Sequence, residues 1–250
     1  MTDLILEALE SNRIVKDNIS FEKIRELGGR NLGIWDELGR GRFVLGSVEQ
    51  LDQYLYSYGL MIQSQWDYVL GELDSPEKKV QLVDYACGQG LASVFWHDNF
   101  QDFELARVSD ISLIEPSDVA LKRANGIVSC CYPNANVTCI NKRLDDVEVD
   151  EIFSADSDFC VHLFSNIMDI EGFDPFSLLS KVLSRNGEHW LIVVSHDRDH
   201  NGGSLRLRKT YDTLLCDDYK SWFTIRESYI TQFECRNDMP AMAFVIKLEI

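Results

Sequence analysis

No uninterrupted apolar run in this sequence approaches the roughly 20 residues a membrane-spanning helix needs. The opening stretch, MTDLILEALESNR, lacks the basic region that precedes the apolar core of a secretory signal. These two absences predict no membrane association and a cytoplasmic location. Cysteine spacing of the zinc-binding kind is missing too. The seven cysteines are odd in number, and the only adjacent pair is Cys130-Cys131, so they read as reduced, mostly buried thiols. A disulfide framework or structural metal is not expected, and there is no internal repeat or low-complexity tract. Positive charge is in deficit: 24 Lys and Arg face 41 Asp and Glu, a formal net charge of −17. A field of that sign repels phosphate backbones, which disfavours general nucleic-acid binding. A local basic groove is still open. Its best candidate is Arg206-Leu207-Arg208-Lys209, set against the plainer reading of a solvated helix face.

What the chain does have is a core. Hydrophobic residues make up 45% of 250 positions, enough for one large α/β domain or one domain with an extension. Residues 1–75 read as a helical N-terminal extension, with LDQYLYSYGLMIQSQWDYVL at helical spacing and a break expected at Gly59. Residues 76–250 change character. VQLVDYA, ISLIE, NVTCIN, DFCVHLFS and EHWLIVVSH read as strands. LASVFWHDNF, PSDVALKRANGIVSCCY and PFSLLSKVLSRNG read as the helices between them, the last ending at Gly187. Such alternation implies a doubly wound, mostly parallel sheet with helices on both faces. After one more helix near Ser204–Leu215, FTIRESYITQFEC and AMAFVIKLEI are joined by only five residues. A link that short cannot hold a crossover helix, so this pair is expected to be antiparallel.

The sharpest local pattern is strand, glycine loop, helix, then an acid at the end of the next strand. Gly88 and Gly90 let the backbone turn tightly and approach a ligand without a Cβ clash. The helix from Leu91 aims its free N–H groups at that ligand. Glu115 is placed to accept hydrogen bonds from two ribose hydroxyls at the carboxyl edge of the sheet. The residues alone leave three readings open: a dinucleotide site, because Gly88-x-Gly90-x-x-Ser93 is close to that fingerprint; another nucleoside-containing cofactor; or a glycine turn that only packs helix on strand.

LVDYACGQG resembles the first motif of class I S-adenosylmethionine (SAM) dependent methyltransferases, and LIEPSDVALKRA resembles their second. DFCVHLFSNIMDI looks like their fourth-strand motif, and the closing antiparallel pair is similar to the reversed last strand of their seven-stranded sheet. The resemblance runs from Val80 to Ile250. It implies a methyltransferase with SAM as cofactor. Asp84 would help hold the amino group of the methionine part, and Ala86, Gly88 and Gly90 would line the loop around it. Glu115 would bind the ribose, and Pro116 or Ser117 would lie near the adenine. His162, Leu163 and Phe164 would flank the methionine and the methyl. Two positions depart from the pattern. Ala86 stands where the first glycine is usual. Arg143-Leu144 stands where an acid often meets the adenine, with Asp145 and Asp146 nearby.

Methyl transfer from a sulfonium needs alignment and exclusion of water, plus a base when the acceptor must lose a proton. His162 and His196 are the candidate bases. Each also reads plainly, as a core histidine and a loop residue. His196-Asp-Arg-Asp-His200 has metal-like spacing but lies in loop chemistry, so no metal is expected. Tyr54, Tyr56, Tyr58 and Trp66 suggest either ordinary helix packing or a cap that closes over the cofactor and supplies the acceptor pocket. The acceptor is unidentified, and the acidic balance favours a small molecule or a protein over nucleic acid. Two other classes remain open: a NAD-dependent oxidoreductase, and a non-catalytic SAM-fold subunit with a protein partner.

Overall fold

The apolar runs become a seven-stranded sheet in the order β3-β2-β1-β4-β5-β7-β6. The computed structural model describes residues 2–101, 107–154, 158–199, 202–216 and 222–250, apart from the side chain of Arg40. The strands are β1 (Val80–Tyr85), β2 (Val108–Ile114), β3 (Asn136–Ile140), β4 (Phe159–Ser165), β5 (Glu188–His196), β6 (Thr224–Cys235) and β7 (Met239–Glu249). Pairings among β1 to β5 are parallel, and β7 runs antiparallel to both β5 and β6. β7 is therefore the reversed strand, as the short link before it required. All six residues of β1 are buried, which fits a central strand covered on both faces.

Helices α1 (Leu4–Glu10), α2 (Phe21–Leu27) and α3 (Val48–Gly71) form the N-terminal part. Each begins at a side chain that accepts from its first free N–H groups: Asp3, Ser20 and Ser47. α4 (Leu91–Phe100) and α5 (Asp118–Cys131) lie on the same face of the sheet. One apolar cluster there joins Ile5, Phe21, Ile24 and Trp66 to Leu82, Val161 and Ile192 of the strands. On the other face, residues of α6 (Val149–Ile152), α7 (Pro175–Val182) and α8 (Gly203–Leu214) pack with Val83, Phe164 and Leu191.

Several boundaries differ from the sequence reading. α3 runs unbroken through Gly59, because the glycine serves packing there: a Cβ on it would come within 3.1 Å of the Phe21 ring. α5 starts at Asp118, with Ser117 as its cap and Pro116 before it. α7 ends at Val182, short of Gly187. β2 begins at Val108, three residues early. In α8, Arg206 is tied to the carbonyls of Met168 and Phe173 and Leu207 is buried, so only Arg208 and Lys209 of the basic stretch are exposed.

Candidate functional site

The strand order turns back between β1 and β4, the place where open α/β sheets leave a crevice at their carboxyl ends. The glycine loop fills the start of that crevice. Ala86, Gly88 and Gly90 all have positive φ, at 50°, 54° and 80°. Gly90 is required twice over: its left-handed backbone caps α4, and a Cβ would press on Val128 at 3.0 Å. Gly88 is different, since beyond its own chain neighbours no atom of the described residues lies within 4 Å of where its Cβ would be. Its missing side chain leaves open space beside the loop.

Glu115 ties the second motif to the first. Its carboxylate accepts from the backbone N–H of Gly88 at 3.0 Å and from that of Ser117 at 2.9 Å. Burial pushes its pKa up, against those two hydrogen bonds. Asp84 sits behind the loop, fully buried. Its Oδ2 accepts from the amide and hydroxyl of Ser93 at 3.2 and 2.8 Å, and its Oδ1 is buried with no hydrogen-bond partner among the described residues. Desolvation raises its pKa to about 7, opposed by the Ser93 hydrogen bonds and assisted by the charge of Glu115.

A cavity opens in front of these groups, with an empty volume of about 870 Å³ including its mouth. Ala86, Gly88, Glu115 and Pro116 line it, as the sequence reading placed them together. Asp84 and Gly90 support the loop from behind, and Ser117 caps α5 while its hydroxyl donates to the carbonyl of Leu45. The structure does not bring His162, Leu163 or Phe164 to the cavity wall. Leu163 belongs to the core on the cavity side, while His162 and Phe164 point into the opposite face and are fully buried. His196, half-buried at the end of β5, also lies outside the lining. Burial lowers its pKa, against the carboxylate of Asp169. His200 lies outside the described residues. Arg143 to Asp146 do not line the cavity either; Leu144 is buried and Asp145 accepts from the amide of Asp174.

Sequence reasoning anticipated a helical N-terminal cap with Tyr54 in it but missed the rest of this wall. A 3₁₀ segment, Leu32–Gly41, and the strap after it bring Arg42, Phe43, Val44 and Leu45 over the crevice, and α3 adds Leu51, Tyr54 and Ile62. Ser165, Asn166, Ile167 and Ile170 complete the floor. Of the tyrosines, Tyr54 faces the cavity and packs on Tyr58 with centroids 5.2 Å apart. Tyr56 points away, under the guanidinium groups of Arg25 and Arg30. Trp66 is core, its indole N–H donating to the Ser165 hydroxyl at 3.0 Å. A visible signal for the strap was its paired glycines, Gly39 and Gly41; nothing local told where it would lie.

The wall is fastened to the loop by a buried arginine. Arg123 of α5, with no exposed surface, reaches Asp3 at 2.8 Å, Asp52 at 2.8 Å and the Gln89 side chain at 3.1 Å. Gln89 in turn donates to the carbonyl of Leu51 at 3.0 Å. The glycine loop, α1, α3 and α5 thus share one polar joint.

No protein-family model matches the chain, and no curated protein matches it in sequence. Solved structures do. A Listeria monocytogenes protein described as a candidate class I S-adenosylmethionine-dependent methyltransferase aligns with a TM-score of 0.51 at 13% identity, over 99% of this chain and 79% of that one. A SAM-dependent methyltransferase from Leishmania major aligns at 0.47 and 12% identity, covering 86% of this chain and 82% of that one. A candidate rRNA methylase from Clostridium thermocellum aligns at 0.47 and 17%, covering 75% and 97%. The likeness to the Listeria protein is one of fold: a class I methyltransferase sheet with its reversed strand.

Proposed function

We propose that the chain binds S-adenosylmethionine in this cavity and transfers its methyl group to an acceptor. The observation that carries the reading is the junction of the glycine loop with Glu115 at the mouth of a cavity on the switch point of the sheet. The residues fit the group. Gly88 leaves room beside the loop, Asp84 keeps one buried oxygen without a partner among the described residues, and each oxygen of Glu115 retains a lone pair beyond its single backbone bond. The loop, with Asp84 buried behind it, would hold the amino-acid end, Glu115 the ribose, and Pro116 the adenine side. The cofactor, when bound, supplies an already activated methyl.

The chain's own task is then to place the acceptor and keep water out. Val44, Leu45, Leu51 and Ile62 supply apolar wall, and Tyr54 and Asn166 supply polar groups among them. No histidine lines the cavity among the described residues, so the general-base role expected of His162 or His196 has no support here. Alignment carries the proposal instead. The strap and α3 make the N-terminal part the source of the acceptor side of the site. A small molecule or a protein side chain is the favoured acceptor, on the strength of the net charge of −17.

Calorimetric titration with SAM, S-adenosylhomocysteine and NAD tests the proposal, with Glu115→Ala alongside. Binding of the first two that weakens in the variant is expected. Binding of NAD instead would make the chain an oxidoreductase. No binding at all would favour a non-catalytic subunit, a reading to which Ala86 in the loop lends some weight.

A further inference from the structure

The face of the sheet opposite the cavity buries polar side chains that methyl transfer does not use. Gln81 of β1, Cys160 of β4 and His189 of β5 stand side by side across three strands, in register. His162 is two residues beyond Cys160 and shares its face. The two imidazoles lie end to end and nearly coplanar, 5.2 Å between centroids and 11° from parallel. Nε2 of His162 and Nδ1 of His189 are 2.9 Å apart, and one ligand atom from each of Cys160, His162 and His189 lies within 4.8 Å of the others.

We propose that Cys160, His162 and His189 hold a single thiophilic metal ion of the zinc or copper(I) kind. Donor chemistry supports this: one thiolate and two imidazoles suit both ions. The outer partners fit too. A metal-bound histidine commonly donates its other ring N–H to a fixed acceptor. His189 Nε2 already donates to the carbonyl of Arg185 at 2.8 Å, which leaves Nδ1 as a lone pair facing the cluster. The other nitrogen of His162 lies 3.0 Å from the Tyr85 hydroxyl, an oxygen able to accept its N–H. Two nitrogens on one tetrahedral zinc stand about 3.3 Å apart at bonds of roughly 2.0 Å, so the present pair opens by a few tenths of an ångström and both rings, now end to end, turn until their lone pairs meet at the ion.

The proton balance is simple. Without an ion, the proton between the two rings belongs to His162 Nε2, since His189 Nδ1 has none to give. On binding, that proton moves to His162 Nδ1 and is donated to the Tyr85 oxygen, whose own hydrogen, accepted by Nδ1 without the ion, turns away from the ring. The Cys160 thiol loses its proton to solvent, so one proton leaves per ion and no redox step occurs. Copper(I) with one thiolate and two neutral imidazoles carries no net charge, which suits a buried site. Zinc leaves one positive charge and takes a fourth donor. Gln81 Oε1, 3.6 Å from the Cys160 sulfur, is placed to supply it. Every ligand is fully buried, so the ion enters as the chain folds and ties β1, β4 and β5 together.

The experiment is metal analysis of full-length protein purified without a histidine tag or chelator. Protein unfolded in chelator is then refolded with cobalt(II), as a stand-in for zinc, or with copper(I) against a competing chelator. One equivalent of zinc or copper, a cobalt–thiolate charge-transfer band, and loss of both in Cys160→Ser and His189→Asn are expected. Metal-free native protein that also refolds without taking up cobalt or copper overturns the proposal. So does a cobalt–thiolate band that survives in Cys160→Ser, because another cysteine then holds the ion.

Discussion

Asp84 holds the sharpest conflict in the site. It is buried as a carboxyl with a pKa of about 7, yet its proposed task, holding a cationic amino group, needs the ionised form. Between its ordinary value of 3.8 and about 7 the folded chain carries a proton that the unfolded chain lacks. Stability therefore falls as pH rises across that window and is flat above it. Binding runs the other way. SAM affinity is expected to weaken by about tenfold per pH unit below 7, because the proton must leave first. Calorimetry from pH 5.5 to 8.5 would show it, and Asp84→Asn should flatten the profile at a lower affinity. A flat profile in the unaltered protein would remove Asp84 from the binding step. Ala86 poses a smaller conflict, a left-handed residue bearing a Cβ at φ 50°. That conformation costs about 1–2 kcal/mol, while glycine's extra freedom in the unfolded chain costs roughly 0.4–1 kcal/mol. Ala86→Gly should then stabilise the protein by up to about 1.5 kcal/mol in urea denaturation. A loss of stability would mean that the methyl group packs usefully against its neighbours.

At the level of elements, the joint at Arg123 is the most exposed to a single change. Its guanidinium lies between Asp3 before α1 and Asp52 in α3, with no exposed surface. Arg123→Met would leave two carboxylates without their cation in a buried place, at a cost of about 3–5 kcal/mol. The Gln89 side chain would lose a partner at the same time, so S-adenosylhomocysteine binding should weaken with stability. Urea midpoints near those of the unaltered protein would show that the carboxylates find solvent instead. This joint was not legible in the sequence, because its parts lie up to 120 residues apart. What was legible were the elements themselves. EHWLIVVSH and LASVFWHDNF begin and end as read, since apolar runs between turn residues set them locally. The loop and Glu115 were legible for the same reason. The face of a doubly buried strand was not. Both faces of β4 are apolar, so hydrophobicity does not say which way His162 points, and one residue of parity separates the cavity side from the far core. Gly59 misled in a related way: the sequence shows a helix breaker, and only the Phe21 ring beside it explains its use.

For the whole molecule, the question is whether the N-terminal helices and the sheet behave as one body. Trp66 of α3, Trp96 of α4 and Phe21 of α2 belong to the same buried cluster as Val80 and Leu82 of β1. Each large side chain of this kind contributes roughly 1.5–3 kcal/mol through burial, and none can be withdrawn without exposing its neighbours. The Arg123 joint adds polar ties across the same boundary near residue 75. We therefore expect a single unfolding transition, with tryptophan fluorescence and far-ultraviolet circular dichroism coincident. The ligand should act on all of it. S-adenosylhomocysteine at 100 times its Kd adds about 2.7 kcal/mol to the folded state. For a chain of this size that raises Tm by roughly 5–10 °C, with both probes moving together. Two transitions, only the later one shifted by ligand, would show instead that the N-terminal part is a separable cover and that the strap Gly41–Leu45 takes no share in holding the cofactor. A single transition unmoved by ligand would count against the proposed cofactor itself, which makes this scan a check on the functional reading as well as on the fold.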